Sequence, residues 1–379
     1  MSKKILRNEA FQSLFASFIC IVLGVLIGYI VLLFINPSGA GEAIGEVLKN
    51  FLHYSKTNLQ IKNFGNTLVK TAPLLMCSLS ILFAYKVGLF NIGAAGQYCV
   101  GICVSIYCAI SLGLGWLPCM IIAGVCGALY GAIVGLLKSY CNVNEVISGI
   151  MLNWIALYTT NMILSTVKES TSPYTFHLNT HGEQAMLPGL GFDKIFAGNT
   201  YVTIALPLAV LTAVLVYVVL EKTKFGFELK ATGFNKNAAK YCGMAEKRNI
   251  IVSLMISGAI AALGACFLYL TDYEQWSCTS AAVPATGFNG IAAAFLGGLN
   301  PIGAIFSSYF IQHITVGGSY VDKTMYCAQI SDLISAIIIY LCGFVFFIKF
   351  TMNHLLDKQE EKKALKAKEA VNTQEGGDK

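Results

Sequence analysis

The sequence predicts an all-α integral membrane protein, a polytopic helical bundle of about ten spans. Three observations carry this. Of 379 residues, 56% are hydrophobic and only 12% charged, against about 25% charged in an ordinary globular domain. Apolar runs recur along the whole chain at the length a bilayer demands, roughly 20 residues of helix that bonds its own backbone where water is absent. The basic residues gather in three places beside those runs, as they do in loops kept on the cytoplasmic side.

The first run, 13–35 (SLFASFICIVLGVLIGYIVLLFI), is too long for a cleavable signal, and Asn36-Pro37 lacks a small-residue cleavage pattern, so it is expected to stay as an anchor. Residues 41–53 set Ile44, Val47, Leu48, Phe51 and Leu52 at helical spacing. They suit either a short helix at the outer surface or an extension of the exit loop. Further spans are expected at 66–85, 95–112, 116–137, 145–165, 201–220, 250–271, 301–316 and 328–350. The run 283–299 (VPATGFNGIAAAFLGGL) is shorter and broken by glycine.

Counting that broken run as a crossing places Lys3, Lys4 and Arg7, the seven basic residues from Lys222 to Arg248, and the seven from Lys349 onward on one side. The expected layout is a cytoplasmic N-terminus (1–12), a membrane domain (13–350) with a cytoplasmic loop at 221–249, and a cytoplasmic tail (351–379) that frays into disorder. Residues 36–65, 166–199 and 317–327 then fall outside. The net charge of +6 reports this orientation, and without a clustered basic stripe nucleic acid is not an expected partner.

Most of the thirteen cysteines sit inside spans, where a thiol is a small packing residue; Cys278 and Cys327 are in outer loops and could form a bridge. No CxxC pair occurs and histidine is scarce, so no metal site is expected. Gly24 with Gly28, and Gly127, Gly131 and Gly135, recur at four-residue steps that let helix backbones approach.

Enzymatic chemistry finds no foothold. The phosphate loop G-x-x-x-x-G-K-[ST], H-E-x-x-H and G-x-S-x-G are all absent. Glu145 and Asp332 each open a predicted helix, where a carboxylate favours the positive end of the dipole; a cation or proton site is the other reading. An ion-coupled secondary transporter would want more such charges. The polar residues at membrane depth are instead neutral: Asn91 and Gln97 around the glycines of "GLFNIGAAGQ", Asn153 and Trp154 in "NVNEVISGIMLNWIALY", and Asn289. They suit a solute bearing hydroxyls or amide-like edges and mark a candidate translocation path, with the alternative that each amide bonds a neighbouring helix. The glycines of 88–97 predict a bend or interrupted helix.

In the basic loop, "EKTKFGFELKATGFNKNAAKYCGM" offers Asn235 as an N-cap and Gly243 as a left-handed C-terminal stop, predicting a two-turn helix presented to the cytoplasm. Four stretches, in order over 86–310, resemble the permease subunits of ABC importers for simple sugars, nucleosides and branched-chain amino acids: "GLFNIGAAGQ", "VNEVISGIMLNWIA", "GFELKATGFNKNAAKYCGM" and "GFNGIAAAFLGGLNPIGA". The "NEVI…IMLNWIA" wording and the long loop before residue 200 look most like nucleoside permeases. One departure is Ala95, where the family often has an acidic residue.

The resemblance implies a fold like that of the vitamin B12 importer's permease, in the bacterial plasma membrane with both termini cytoplasmic. It implies a non-catalytic subunit with no cofactor of its own, ATP and Mg being held by a partner ATPase. Gly233, Asn235, Asn237, Ala238, Ala239, Tyr241 and Gly243 would couple to that ATPase. A second permease, a paralogue or another copy, and an extracytoplasmic solute-binding lipoprotein would complete the complex in its lipid. A nucleoside is the expected solute and a simple sugar the alternative.

Overall fold

The computed structural model describes residues 9–322, 324–326, 333–334, 336–337, 340–341, 343–345 and 347–358. Its helices are α1 (Glu9–Ile35), α2 (Ala40–Lys49), α3 (Thr57–Tyr85), α4 (Ala94–Ile110), α5 (Trp116–Cys141), α6 (Glu145–Leu164), α7 (Leu178–His181), α8 (Phe192–Ile195), α9 (Ala205–Lys222), α10 (Lys224–Phe234), α11 (Lys236–Tyr241), α12 (Glu246–Tyr269), α13 (Ala285–Leu296) and α14 (Pro301–Gly317). Among the described residues there is no β-strand, only two isolated antiparallel bridges, Lys168 with Thr175 and Tyr174 with Ser277.

Among the described residues six helices are long and apolar enough to cross a membrane: α1, α3, α5, α6 with its short extension to Val167, α9 and α12. The predicted runs 95–112, 283–299 and 301–316 become α4, α13 and α14, which are shorter at 17, 12 and 17 residues. Ten of the 23 residues of the run 328–350, Asp332 among them, and the tail from 359 lie outside the described residues, as does Cys327. Cys278 carries a free thiol.

The centre of the bundle is α3, α4 and α12. Helix α12 packs along α5, α3 and α4, and α3 also carries α9, α13 and α14. The steps Gly127, Gly131 and Gly135 lie where α5 meets α12, while Gly28 meets the Ile334 side chain. A Cβ added at Gly131 would sit 2.1 Å from the Leu254 carbonyl oxygen, and one at Gly258 2.2 Å from that of Gly127, so α5 and α12 meet backbone to backbone.

One end of the bundle gathers residues 86–93, 138–145 and 223–248. There Lys138 Nζ pairs with Glu145 Oε2 at 2.7 Å, and Ser139 Oγ donates to the Lys247 carbonyl at 3.4 Å. Glu145 thus opens α6 beside a neutralising lysine. The opposite end is knitted from loops. Thr175 receives the Trp276 amide on its hydroxyl at 3.2 Å, Leu187 N donates to Leu270 O at 2.9 Å, and Asn199 Nδ2 to Lys62 O at 2.8 Å. Helix α2 belongs to this end, with Val47 fully buried against Gly317.

The run 283–299 is short and broken by glycine as expected: α13 stops at Leu296, and Gly297 and Gly298 (φ +67°) turn the chain. At its other end residues 278–284 are non-helical, and α13 begins only after Pro284. Proline disfavours helical backbone in the residue before it, so Val283 cannot extend α13 toward its N-terminus.

Candidate functional site

Helix α3 ends in a glycine stop. Gly88 has φ +72°; its N–H donates to Tyr85 O at 2.9 Å and that of Leu89 to Ala84 O at 3.2 Å. Only glycine enters this left-handed region without strain. The chain reverses here, with Val87 and Leu89 buried as plugs, and returns as α4 from Ala94. The bend predicted for 88–97 is therefore a turn between two helices.

The turn is braced by amides. Asn91 Nδ2 donates to Ser80 Oγ on α3 at 3.1 Å and to Gln97 Oε1 on α4 at 2.9 Å. Asn153 reaches in from α6: its Oδ1 accepts from Gly96 N at 2.7 Å and its Nδ2 donates to Ile92 O at 3.0 Å. All three side chains are buried. Gly96 and Gly149 make room, since an added Cβ would lie 2.8 Å from Asn153 Oδ1 and 2.9 Å from Gly93 N respectively. Sequence reading anticipated the three amides but neither Ser80 nor Gly149, which nothing but contact distinguishes from other small residues in a span. Ala95 is fully buried in this corner, and Gly287 of α13 lies against it.

The other two polar candidates lie elsewhere. Trp154, next in sequence to Asn153, points away from the braced turn; it is 43% exposed and stacks on Tyr158 with ring centroids 6.2 Å apart. Asn289 on α13 is half-buried and its amide has no hydrogen-bond partner among the described residues.

The basic loop folds into α10 and α11. Thr223 Oγ1 caps α10 by accepting from Gly226 N at 3.1 Å, and Asn249 Nδ2 on α12 donates to Thr232 Oγ1 at 3.0 Å. Asn235 caps α11, accepting from Ala238 N at 3.1 Å, and Gly243 (φ +81°) ends it, with Met244 N bonded to Ala239 O at 3.0 Å. Both termini lie where the sequence placed them. Of the residues 235–243 only Ala239 is buried, anchoring the helix; Asn235, Asn237, Ala238, Tyr241 and Gly243 face out. Phe234 and Tyr241 are 91% and 93% exposed. Phe234 was not foreseen, although a bare aromatic in a basic polar loop is itself a signal.

Gly233 joins the two regions. A Cβ there would lie 2.7 Å from Lys86 O and 2.8 Å from Val87 C, and one at Gly88 would lie 3.1 Å from Gly233 O. The segment leading into α11 therefore rests, backbone on backbone, against the turn that the amides brace.

The family described as branched-chain amino acid transport system / permease component matches residues 63–343. The guanosine ABC transporter permease protein NupP of Bacillus subtilis is 32% identical over 346 residues, 90% of this chain and 96% of that protein. The nucleoside ABC transporter permease protein NupB of Lactococcus lactis is 30% identical over 377 residues, 96% of this chain and 98% of that protein. The glucose ABC transporter permease protein TsgB13 of Haloferax volcanii is 30% identical over 315 residues, 78% and 80%. A second guanosine permease of Bacillus subtilis, NupQ, matches at 29% identity over 67% of this chain and 81% of that protein. No solved structure matches.

Proposed function

The chain belongs to the branched-chain amino acid transport system / permease component family, and on that premise we propose that it forms the translocation path of an ABC importer for a nucleoside. The observation that carries the energy-coupling half is α11, a capped helix held by one buried alanine and offering Phe234 and Tyr241 to solvent. Two bare aromatics on a basic mount suit an apolar cleft with an acidic rim on a separate ATPase, which would hold ATP and Mg. The sequence itself has no phosphate loop. The nucleoside half rests on the guanosine and nucleoside permeases among the relatives, and the glucose permease keeps a simple sugar as the second reading.

In this reading ATP-driven closure of the ATPases pushes α11. Gly233 passes the push to the Lys86–Gly88 backbone, a contact without rotatable side chains to absorb it. The amide brace then moves α4 and α6 together, since Asn153 ties α6 to the turn. Asn91, Gln97 and Asn153 thereby support the path from behind, while Trp154 and Asn289, with polar or aromatic surface still open, face it. The partner permease is a paralogue, as NupP and NupQ are two different guanosine permeases of one organism. A solute-binding lipoprotein delivers solute at the outer end, and both termini are cytoplasmic in a plasma membrane.

Co-purification in mild detergent, followed by reconstitution, tests the proposal. The expected result is an ATPase retained with the chain and ATP-dependent uptake of guanosine. Uptake that proceeds without any ATPase would overturn it.

A further inference from the structure

Residues 278–284 run without helix beside α6, one of the helices long and apolar enough to cross a membrane. Asn161 Nδ2, within α6, donates to Ser280 O at 2.8 Å. Gly287 packs on Ala95, which stands beside the Gly96–Asn153 bond. From Ser280 to Gly287 the chain therefore descends from the level of residue 161 of α6 to that of residue 153, about 5 to 16 Å below that helix's outer end at 1.5 Å per residue, and the non-helical residues occupy the upper part of that descent. Thr279, Ala281 and Ala282 are exposed, and the backbone N–H groups of Thr279, Ala281, Ala282 and Val283 find no acceptor among the described residues.

Unpaired backbone cannot face hydrocarbon, where each such group costs several kcal/mol. It is stable at this depth only where it meets water or a solute. Trp154 and Tyr158 lie on the same stripe of α6 as Asn161, at the levels the segment passes, and Asn289 follows one helical turn into α13.

Resting on the permease reading above, we propose that residues 279–284 form an aqueous wall of the solute path. Their free N–H donors take the hydrogen-bond acceptors of the solute, and the Trp154–Tyr158 pair takes a flat ring. That combination favours a nucleoside base over a sugar, because a base offers a flat π face and ring hydrogen-bond acceptors together, whereas a pyranose can stack only through its C–H face.

The test is thiol accessibility in the complete complex. Ala281→Cys and Ala282→Cys are each treated with a permanently charged methanethiosulfonate, with the unmodified chain as background and Leu26→Cys on lipid-facing α1 as control. Both alanines face open space, so the variants are expected to keep the parent melting profile. Labelling at 281 and 282 should exceed the control by about tenfold or more, because apolar surroundings raise a thiol's pKa and each unit removes about tenfold of the reactive thiolate. Guanosine at about ten times its dissociation constant should slow labelling about tenfold by mass action, and glucose should not. Labelling no faster than at Leu26→Cys overturns the aqueous wall. Labelling that glucose slows and guanosine does not overturns the base assignment. Co-purification of the ATPase is scored on the same samples, so a failed importer reading shows separately from a failed wall.

Discussion

Helices α1 and α3 are both long enough to cross a bilayer and are built oppositely. The apolar window of α1 has the highest mean hydropathy of the six spans and is only 22% buried; that of α3 is far less hydropathic and is 89% buried. Phe18, Leu26 and Phe34 of α1 face outward, while α3 hides Thr67, Thr71, Ser78 and Ser80. In water the ranking would be reversed. In lipid an apolar side chain gains little by leaving the solvent, so the greasiest helix stays at the rim. The centre goes to small and polar residues that pack closely and bond across.

The comparison can be broken by substitution, and the largest effect belongs to the centre. Gly131→Leu drives a side chain into the Leu254 carbonyl of α12, and overpacking of a backbone contact costs about 1–3 kcal/mol or more. The expected outcome is loss of monodisperse protein on size exclusion. Leu79→Ala, fully buried on α3, should cost about 2–5 kcal/mol through the cavity it leaves, read as a lowered melting temperature in detergent. Asn153→Leu leaves Gly96 N–H and Ile92 O without their partner, at about 1–3 kcal/mol. Its melting shift should be accompanied by faster amide exchange at residue 96. Phe34→Ala on α1, 86% exposed, should stay within about 0.5 kcal/mol. A large shift there would mean that α1 packs against a partner and is not a rim helix.

The same contrast explains what could be read in advance. Spans such as 13–35 and 116–137 were legible because crossing hydrocarbon constrains composition over a whole helix. Helix α11 was legible because Asn235 and Gly243 are local chemical signals for its ends. The brace was half legible: Asn91, Gln97 and Asn153 stand out as amides in apolar surroundings, but that they meet one another depends on a fold that brings α3, α4 and α6 together. The gap before α13 was legible in outline, since no run was expected between 271 and 283, and Pro284 is the signal that moves the start of α13 two residues on. That backbone donors in this gap go unpaired was not legible, because composition says nothing of hydrogen bonding. Burial of α3 could not be read from hydropathy, which points the wrong way once lipid is the solvent.

The central claim is that the membrane bundle takes its power from outside through one small exposed helix. The direct measurement replaces residues 235–243 by a glycine–serine segment of equal length and follows guanosine accumulation against its gradient in vesicles containing the ATPase and ATP. The account predicts that accumulation ceases and the ATPase no longer co-purifies, while the bundle keeps its melting temperature. Undiminished accumulation would contradict it.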